Sequence, residues 1–190
     1  MRIKRASEGL RGRQREQGMT LIELMMAMVI LAVGLGALSI LFTTAIQTNN
    51  KNAKDSSATM LAQLLLEEIS AQPANTSTNL TVTDCGGNPF PVATLGAAAP
   101  AGRGASLTAT GRIDQTQAYS AVLANYAMQY VACGTGSRRA TYDVRWNVIT
   151  LTPQSRLITV SARQSQGTGV GLLGGLVYAM PVTLRTIGGM

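Results

Sequence analysis

Between Leu24 and Ile46 the chain reads LMMAMVILAVGLGALSILFTTAI, 23 residues without a charged side chain. Roughly 20 apolar residues suffice for an α-helix to cross the hydrocarbon of a bilayer. The run is apolar on every side, and a core helix of that kind would be out of place in a chain of 190 residues. A secretory signal would carry an apolar region of roughly 7–15 residues closed by a small-residue cleavage site. This run is longer, and the polar stretch QTNNKNAK follows it with no A-x-A site between.

Working outward toward the N-terminus, residues 1–18 hold Arg2, Lys4, Arg5, Arg11, Arg13 and Arg15 against Glu8 and Glu16, a net of +4. The whole chain is +7, from 16 basic and nine acidic residues, so the other 172 residues contribute only +3. A basic segment before a single apolar span predicts a cytoplasmic N-terminus and an exported C-terminus. Composition narrows the chemistry further. With no histidine, Ser-His-Asp and Cys-His catalysis and imidazole-based metal sites are excluded, and two cysteines cannot build a four-thiolate zinc site. Asp84, Asp114 and Asp143 show no partner pattern of a catalytic kind. The expectation is a protein that is not an enzyme and needs no cofactor or metal.

Glu23 stands at the start of the apolar run, within Met19-Thr20-Leu21-Ile22-Glu23-Leu24. A carboxylate at the centre of a membrane helix costs roughly 2.5–3.5 kcal/mol on insertion scales, and less toward an end. Either Glu23 sits near the headgroups at little cost, or it awaits a positive partner. The segment Gln17-Gly18-Met19-Thr20-Leu21-Ile22-Glu23, with its basic leader and the apolar run after it, resembles the class III signal of type IV pilins and pseudopilins. In that family Phe is the usual first mature residue, and Met19 departs from it. The resemblance implies that prepilin peptidase, a membrane aspartyl protease, cuts between Gly18 and Met19 on the cytoplasmic side, and that the new Met19 amine is N-methylated. It also implies that Glu23 neutralises the Met19 amine of a neighbouring subunit. Desolvation of an unpaired carboxylate in an apolar bundle would then set the stagger between subunits.

A second, more scattered set of residues resembles PilV-type minor pilins: Gly34-Leu35-Gly36-Ala37-Leu38, the polar patch from Gln47 to Asn52, Ala58-Thr59-Met60-Leu61-Ala62-Gln63 with Glu67-Glu68, Tyr142-Asp143-Val144-Arg145-Trp146, and Arg156-Leu157-Ile158-Thr159-Val160. Gly36 with Ala32 makes a small-xxx-small pair that permits close helix approach, and Gly34 and Gly36 each weaken a helix by about 1 kcal/mol relative to Ala. Ordinary membrane glycine usage is the competing reading of these three residues.

Beyond the apolar run, residues 47–72 lack proline and glycine. Ala58, Leu61, Leu65 and Ile69 form one helical stripe, with Ala62 and Leu66 beside it. Pro73 ends the helix. Residues 73–120 are rich in Pro, Gly, Ala, Thr and Asn, and Gly96–Gly104 reads as a featureless surface loop. Leu80-Thr-Val-Thr fits a short strand. The clearest strand is 141–151, where Tyr142, Val144, Trp146 and Val148 alternate with Asp143, Arg145 and Asn147. That alternation predicts an antiparallel sheet covered on one side, with Trp146 as a core anchor. Pro153-Gln154-Ser155 reads as a turn, 156–163 as the next strand, and 176–187 as a last strand interrupted by Pro181, an edge position or strand start.

Other motifs weigh less. Gly169-Val170-Gly171-Leu172-Leu173-Gly174 matches G-x-G-x-x-G, but no acid follows it, so a Gly-rich hairpin is the better reading. Asn75-Thr-Ser and Asn79-Leu-Thr match the short glycosylation sequon. Cys85 and Cys133 lie beyond the span, in a compartment predicted to be oxidising, where a pair should form a disulfide; free thiols are the alternative. Arg138, Arg139, Arg145 and Arg156, with nearby tyrosines, would make a basic patch for nucleic acid if they shared a surface, against the plainer reading of a solvated face.

These readings converge on an α+β chain: a cleaved leader at 1–18, a transmembrane or filament-core half-helix at 19–46, an amphipathic half at 47–72, and an exported β-rich domain at 73–190. The resemblance implies a structural minor pilin that helps initiate or cap a type IV pilus. Its partners would be major and minor pilins met through their N-terminal helices, prepilin peptidase, the inner-membrane assembly platform and, before assembly, the lipid bilayer. It would first be a single-pass protein of the bacterial inner membrane with its C-terminal domain in the periplasm, then part of the pilus fibre. A type II secretion pseudopilin, a DNA-uptake filament subunit and a membrane-anchored ligand-binding domain are the other readings.

Overall fold

The structure, a computed structural model, describes residues 19–74, 80–134, 139–165 and 180–189. The basic leader, the two asparagines of the sequons, Arg138 and the Gly169–Gly174 motif lie outside the described residues. One long helix, α1 (Leu21–Ser70), is followed by strands β1 (Leu80–Thr83), β2 (Pro89–Val92), β3 (Ala97–Ala98), β4 (Arg103–Gly104), β5 (Ala127–Cys133), β6 (Arg139–Thr152), β7 (Ser155–Gln164) and β8 (Val182–Gly188). The chain divides into two compact units that meet between Ile46 and Gln47.

In the first unit, α1 starts at a local signal. Thr20 Oγ1 accepts from the Glu23 backbone N–H at 3.4 Å, and Glu23 places an acid in the first turn, where the helix dipole favours it. Every residue from Met19 to Ala53 is exposed, including Leu21 at 77% and Ile30 at 70%. The few hydroxyls inside the apolar run return to their own helix. Ser39 donates to the Leu35 carbonyl at 2.9 Å, Thr43 to Ile40 at 2.8 Å and Thr44 to Leu41 at 2.9 Å. Satisfied in this way, they do not break the apolar character of the segment.

In the second unit, the predicted stripe is the buried one: Ala58, Leu61, Ala62, Leu65 and Ile69 are buried. They join Val144, Trp146, Val148, Ile158 and Val160 in one core. Register explains this grouping, because Val144 pairs with Ala162, Trp146 with Val160 and Val148 with Ile158 on adjacent antiparallel strands, so their side chains share one face. Trp146 is fully buried, and its indole N–H donates to the Ala93 carbonyl at 2.9 Å.

Among the described residues, β6 is the centre of a six-stranded sheet. One edge pairs with β7, which pairs in turn with β8; the other edge pairs with β5 and with the short β3 and β4. β1 and β2 form a separate two-stranded sheet. The β6–β7 hairpin turns at Pro153-Gln154, and β8 begins just after Pro181 at the end of the strand order.

Two expectations are corrected here. Gly96–Gly104 is not a featureless loop: β3 pairs parallel with Ile149–Thr150 and β4 antiparallel with Asn147–Val148, making the sheet mixed. Small residues allow this close approach, since a Cβ on Gly96 would lie 2.5 Å from Thr150 Oγ1. Nor is the sheet covered on one side only. All residues from Tyr142 to Ile149 are buried, the polar ones included, because the segment after β3 lies over the polar face.

Candidate functional site

Three groups of residues carry the functional reading: the N-terminal segment around Met19, the cysteine pair, and the charged side chains of the sheet. The structure describes Met19 and places Glu23 in the first turn of α1; Gly18 lies outside the described residues. Met19 is 66% exposed and Ile22 also 66%, so the start of the helix is accessible and apolar. Thr20, unremarked in the sequence, caps the helix, and the Thr20-x-x-Glu23 spacing is the signal that identifies it. Gly34 and Gly36 lie within the same exposed stretch as Ala32, and a Cβ on either glycine would meet no atom within 4 Å. No contact among the described residues of this chain therefore requires their small size.

Cys85 and Cys133 form a disulfide, with Cα atoms 5.9 Å apart at a sequence separation of 48. The bridge ties the turn after β1 to the end of β5. The Cys85 N–H reinforces the link by donating to the Val131 carbonyl at 3.3 Å. In the same turn, Asp84 accepts from the Asn88 side chain at 3.0 Å and from its backbone N–H at 2.8 Å. These bonds hold the Asp84 carboxyl below its usual range.

Two of the four predicted arginines, Arg145 and Arg156, do not join a basic surface. Arg145 is 3% exposed, and its guanidinium grips Asp143 with two bonds, Nε to Oδ1 at 2.9 Å and Nη2 to Oδ2 at 2.7 Å. Its Nη1 donates to the Gln117 carbonyl, and its Cζ lies 5.8 Å from the Tyr119 ring centre. Arg163 reaches Asp143 at 3.7 Å. Arg156 is fully buried and binds the end of α1: Nη2 donates to the carbonyls of Ile69 and Gln72, and Nη1 to those of Pro73 (3.2 Å) and Thr94 (2.9 Å). Burial pushes the Arg156 pKa down, and the carbonyl ends of the helix supply the partial negative charge that faces it. With Arg145 and Arg156 buried, the proposed phosphate-binding surface loses two of its four cations, and Tyr126 and Tyr142 are buried as well.

Asp143 and Asp114, like Asp84, have structural partners. Asp143 is paired as described. Asp114 accepts from the Thr116 hydroxyl at 2.6 Å and from its N–H at 2.8 Å, which lowers its pKa. Among the described residues there is no cluster of three acidic, cysteine or histidine groups that would hold a metal ion.

Residues 13–39 match the family of the prokaryotic N-terminal methylation motif. Comparison with curated proteins and with solved structures finds no match for this chain. The matched segment spans Gly18, Met19 and Glu23 and runs into the exposed apolar half of α1, a helix long and apolar enough to cross a membrane. Motif and helix together fit a membrane-anchored pilin. The α+β arrangement, one long apolar N-terminal helix with sheets, is that of type IV pilins. The match supports a type IV pilin- or pseudopilin-like substrate of prepilin peptidase, processed by that enzyme and assembled with other pilins.

Proposed function

We propose that the chain is a structural minor pilin of a type IV pilus, with no catalytic activity of its own. Prepilin peptidase removes residues 1–18, the Met19 amine is methylated, and the helix anchors the subunit in the inner membrane with its disulfide-bonded domain in the periplasm. The observation that carries the reading is the methylation motif at 13–39 leading directly into an apolar helix exposed on all sides. Such a surface has to be covered by lipid or by other apolar helices. On assembly, helix burial among neighbouring pilins drives association, with Ala32, Gly34 and Gly36 admitting close approach. Glu23 sets the register by meeting the methylated amine of the next subunit.

Glu23 also sits in the capping turn of α1, so a test must separate capping from charge. Glu23→Gln does so, because Gln serves a capping box as Glu does but carries no charge. The variant is expected to insert into membranes at normal levels and to drop out of the sheared fibre fraction. Incorporation into fibres at the unaltered level would overturn the register role.

A further inference from the structure

The core of the globular unit thins out at one end of the sheet, and a pocket opens there. On β6 the face that carries Val144 continues through Tyr142 to Ala140, which pairs with Ala132 of β5. On α1 the buried stripe that begins at Ala58 continues one turn earlier in Lys54 and Ser57, both half-buried. Two alanines on the sheet and a lysine on the helix do not fill the space that larger apolar side chains fill farther along. They leave an open pocket of about 380 Å³, to which Arg139 and Gln164 also contribute. That volume lies in the range of small-molecule sites.

Three observations give the pocket its chemistry. Lys54 and Arg139 bring two positive charges to it from different elements, and among the described residues no carboxylate pairs with either. No acidic residue among those described lines it; Asp143, next to Tyr142, belongs to the opposite face of β6, where Arg145 and Arg163 hold it. Tyr142 is 2% exposed and lines the pocket; its hydroxyl has no partner among the described residues and yet is not sealed off, so it can donate to a ligand. Two like charges at a half-buried site favour an anion between them. The three donors stand on α1, at the start of β6 and within β6. A carboxylate offers two oxygens in one plane, whereas a tetrahedral phosphate offers acceptors on every side. Lys54 follows Ile46, the last residue of the apolar run, by eight residues of the same helix, which puts the pocket close along the chain to the segment that meets lipid. We propose that this pocket binds a phosphodiester, that of an anionic phospholipid headgroup. Lys54 and Arg139 neutralise its charge, and the Tyr142 hydroxyl donates to a phosphate oxygen. The lipid source rests on the membrane anchoring proposed above; the phosphate chemistry does not.

The test is an NMR titration of the isotope-labelled full chain in detergent micelles. The probes are dihexanoyl-phosphatidylglycerol, dihexanoyl-phosphatidylcholine, inorganic phosphate and a short oligothymidylate. Phosphatidylglycerol is expected to shift the Arg139 Nε–H and the Ser57 and Ala140 amide signals saturably, with a dissociation constant on the order of 1 mM. The choline lipid, whose own cation meets Lys54 and Arg139, is expected to bind at least about tenfold more weakly, as are inorganic phosphate and the oligonucleotide. Lys54→Gln combined with Arg139→Gln should abolish the selective response while the Trp146 indole signal keeps its position. Absence of a saturable shift up to about 10 mM phosphatidylglycerol, an equal response to the choline lipid, or an unchanged response in the folded double variant would each overturn the proposal. An equal response to inorganic phosphate or to the oligonucleotide would overturn the lipid source. A chain that stays outside the micelles would contradict the membrane anchoring and the lipid source with it, whereas a chain that enters them without responding contradicts the pocket alone. The probe comparison is made on the unaltered chain, so it decides the matter even if the variant fails to fold.

Discussion

Asp84 turns its carboxylate back onto its own loop, where the side chain and backbone N–H of Asn88 hold it ionised below the usual range. Its folded-state pKa lies below the unfolded value. Ionised Asp84 therefore stabilises the fold at neutral pH, and that contribution is lost as pH falls from the unfolded value near 4 through the lowered folded one. Asn88→Ala should lower the urea midpoint at pH 7, and the gap from the unaltered chain should narrow toward pH 2. A gap of equal size at both pH values would contradict the assignment. This loop was not readable in advance. Asp84 and Asn88 are ordinary turn residues, and only the folded turn shows that the carboxylate bonds to both donors of Asn88.

At the scale of elements, the joint between α1 and β7 rests on Arg156, which reaches the carbonyls of Ile69, Gln72 and Pro73 at the helix end. The Ile69 carbonyl lies in the last turn of α1 and also accepts from the Gln72 N–H at 3.1 Å, while those of Gln72 and Pro73 belong to the residues that follow the helix. Replacing Arg156 by Met removes four charge-assisted bonds and leaves buried acceptors unsatisfied. A loss of about 3 kcal/mol or more in unfolding free energy is expected, read by urea denaturation, with Arg156→Lys recovering part of it. A change within about 0.5 kcal/mol would show that the bonds are not needed.

What the sequence conveyed about elements was the part governed by local period. The helical stripe of Ala58, Leu61, Leu65 and Ile69, the helix end ahead of Pro73 and the existence of strand β6 all follow from neighbours a few residues apart. What it hid was non-local. Arg156 acts on a helix end 87 residues earlier, and charged residues are exposed often enough that a surface reading was the natural one. Likewise the Gly- and Ala-rich stretch from 96 to 104 has no hydrophobic period of its own. Its strands exist because β6 offers an unpaired edge that small residues can approach.

At the scale of the whole molecule, the Cys85–Cys133 bridge closes about 49 residues, a stretch that includes β2 to β5 and the alanine- and glycine-rich residues 96–104. Chain-entropy arithmetic assigns such a closure roughly 4 kcal/mol. Reduction with dithiothreitol, or the Cys85→Ser/Cys133→Ser pair, should lower the unfolding midpoint of the chain in detergent accordingly. An unchanged midpoint would mean that the bridge constrains nothing the fold does not already hold.

The two units face different surroundings by their chemistry. One exposes a long apolar helix surface, whereas the other buries its apolar side chains in a core. The pilin reading of that contrast depends on processing at the junction of leader and helix. The direct test is mass spectrometry of the N-terminus of the chain recovered from membranes and from sheared surface fibres. A chain beginning at N-methylated Met19 and present in the fibre fraction is the predicted result. A chain that still begins at Met1 in both fractions would contradict it.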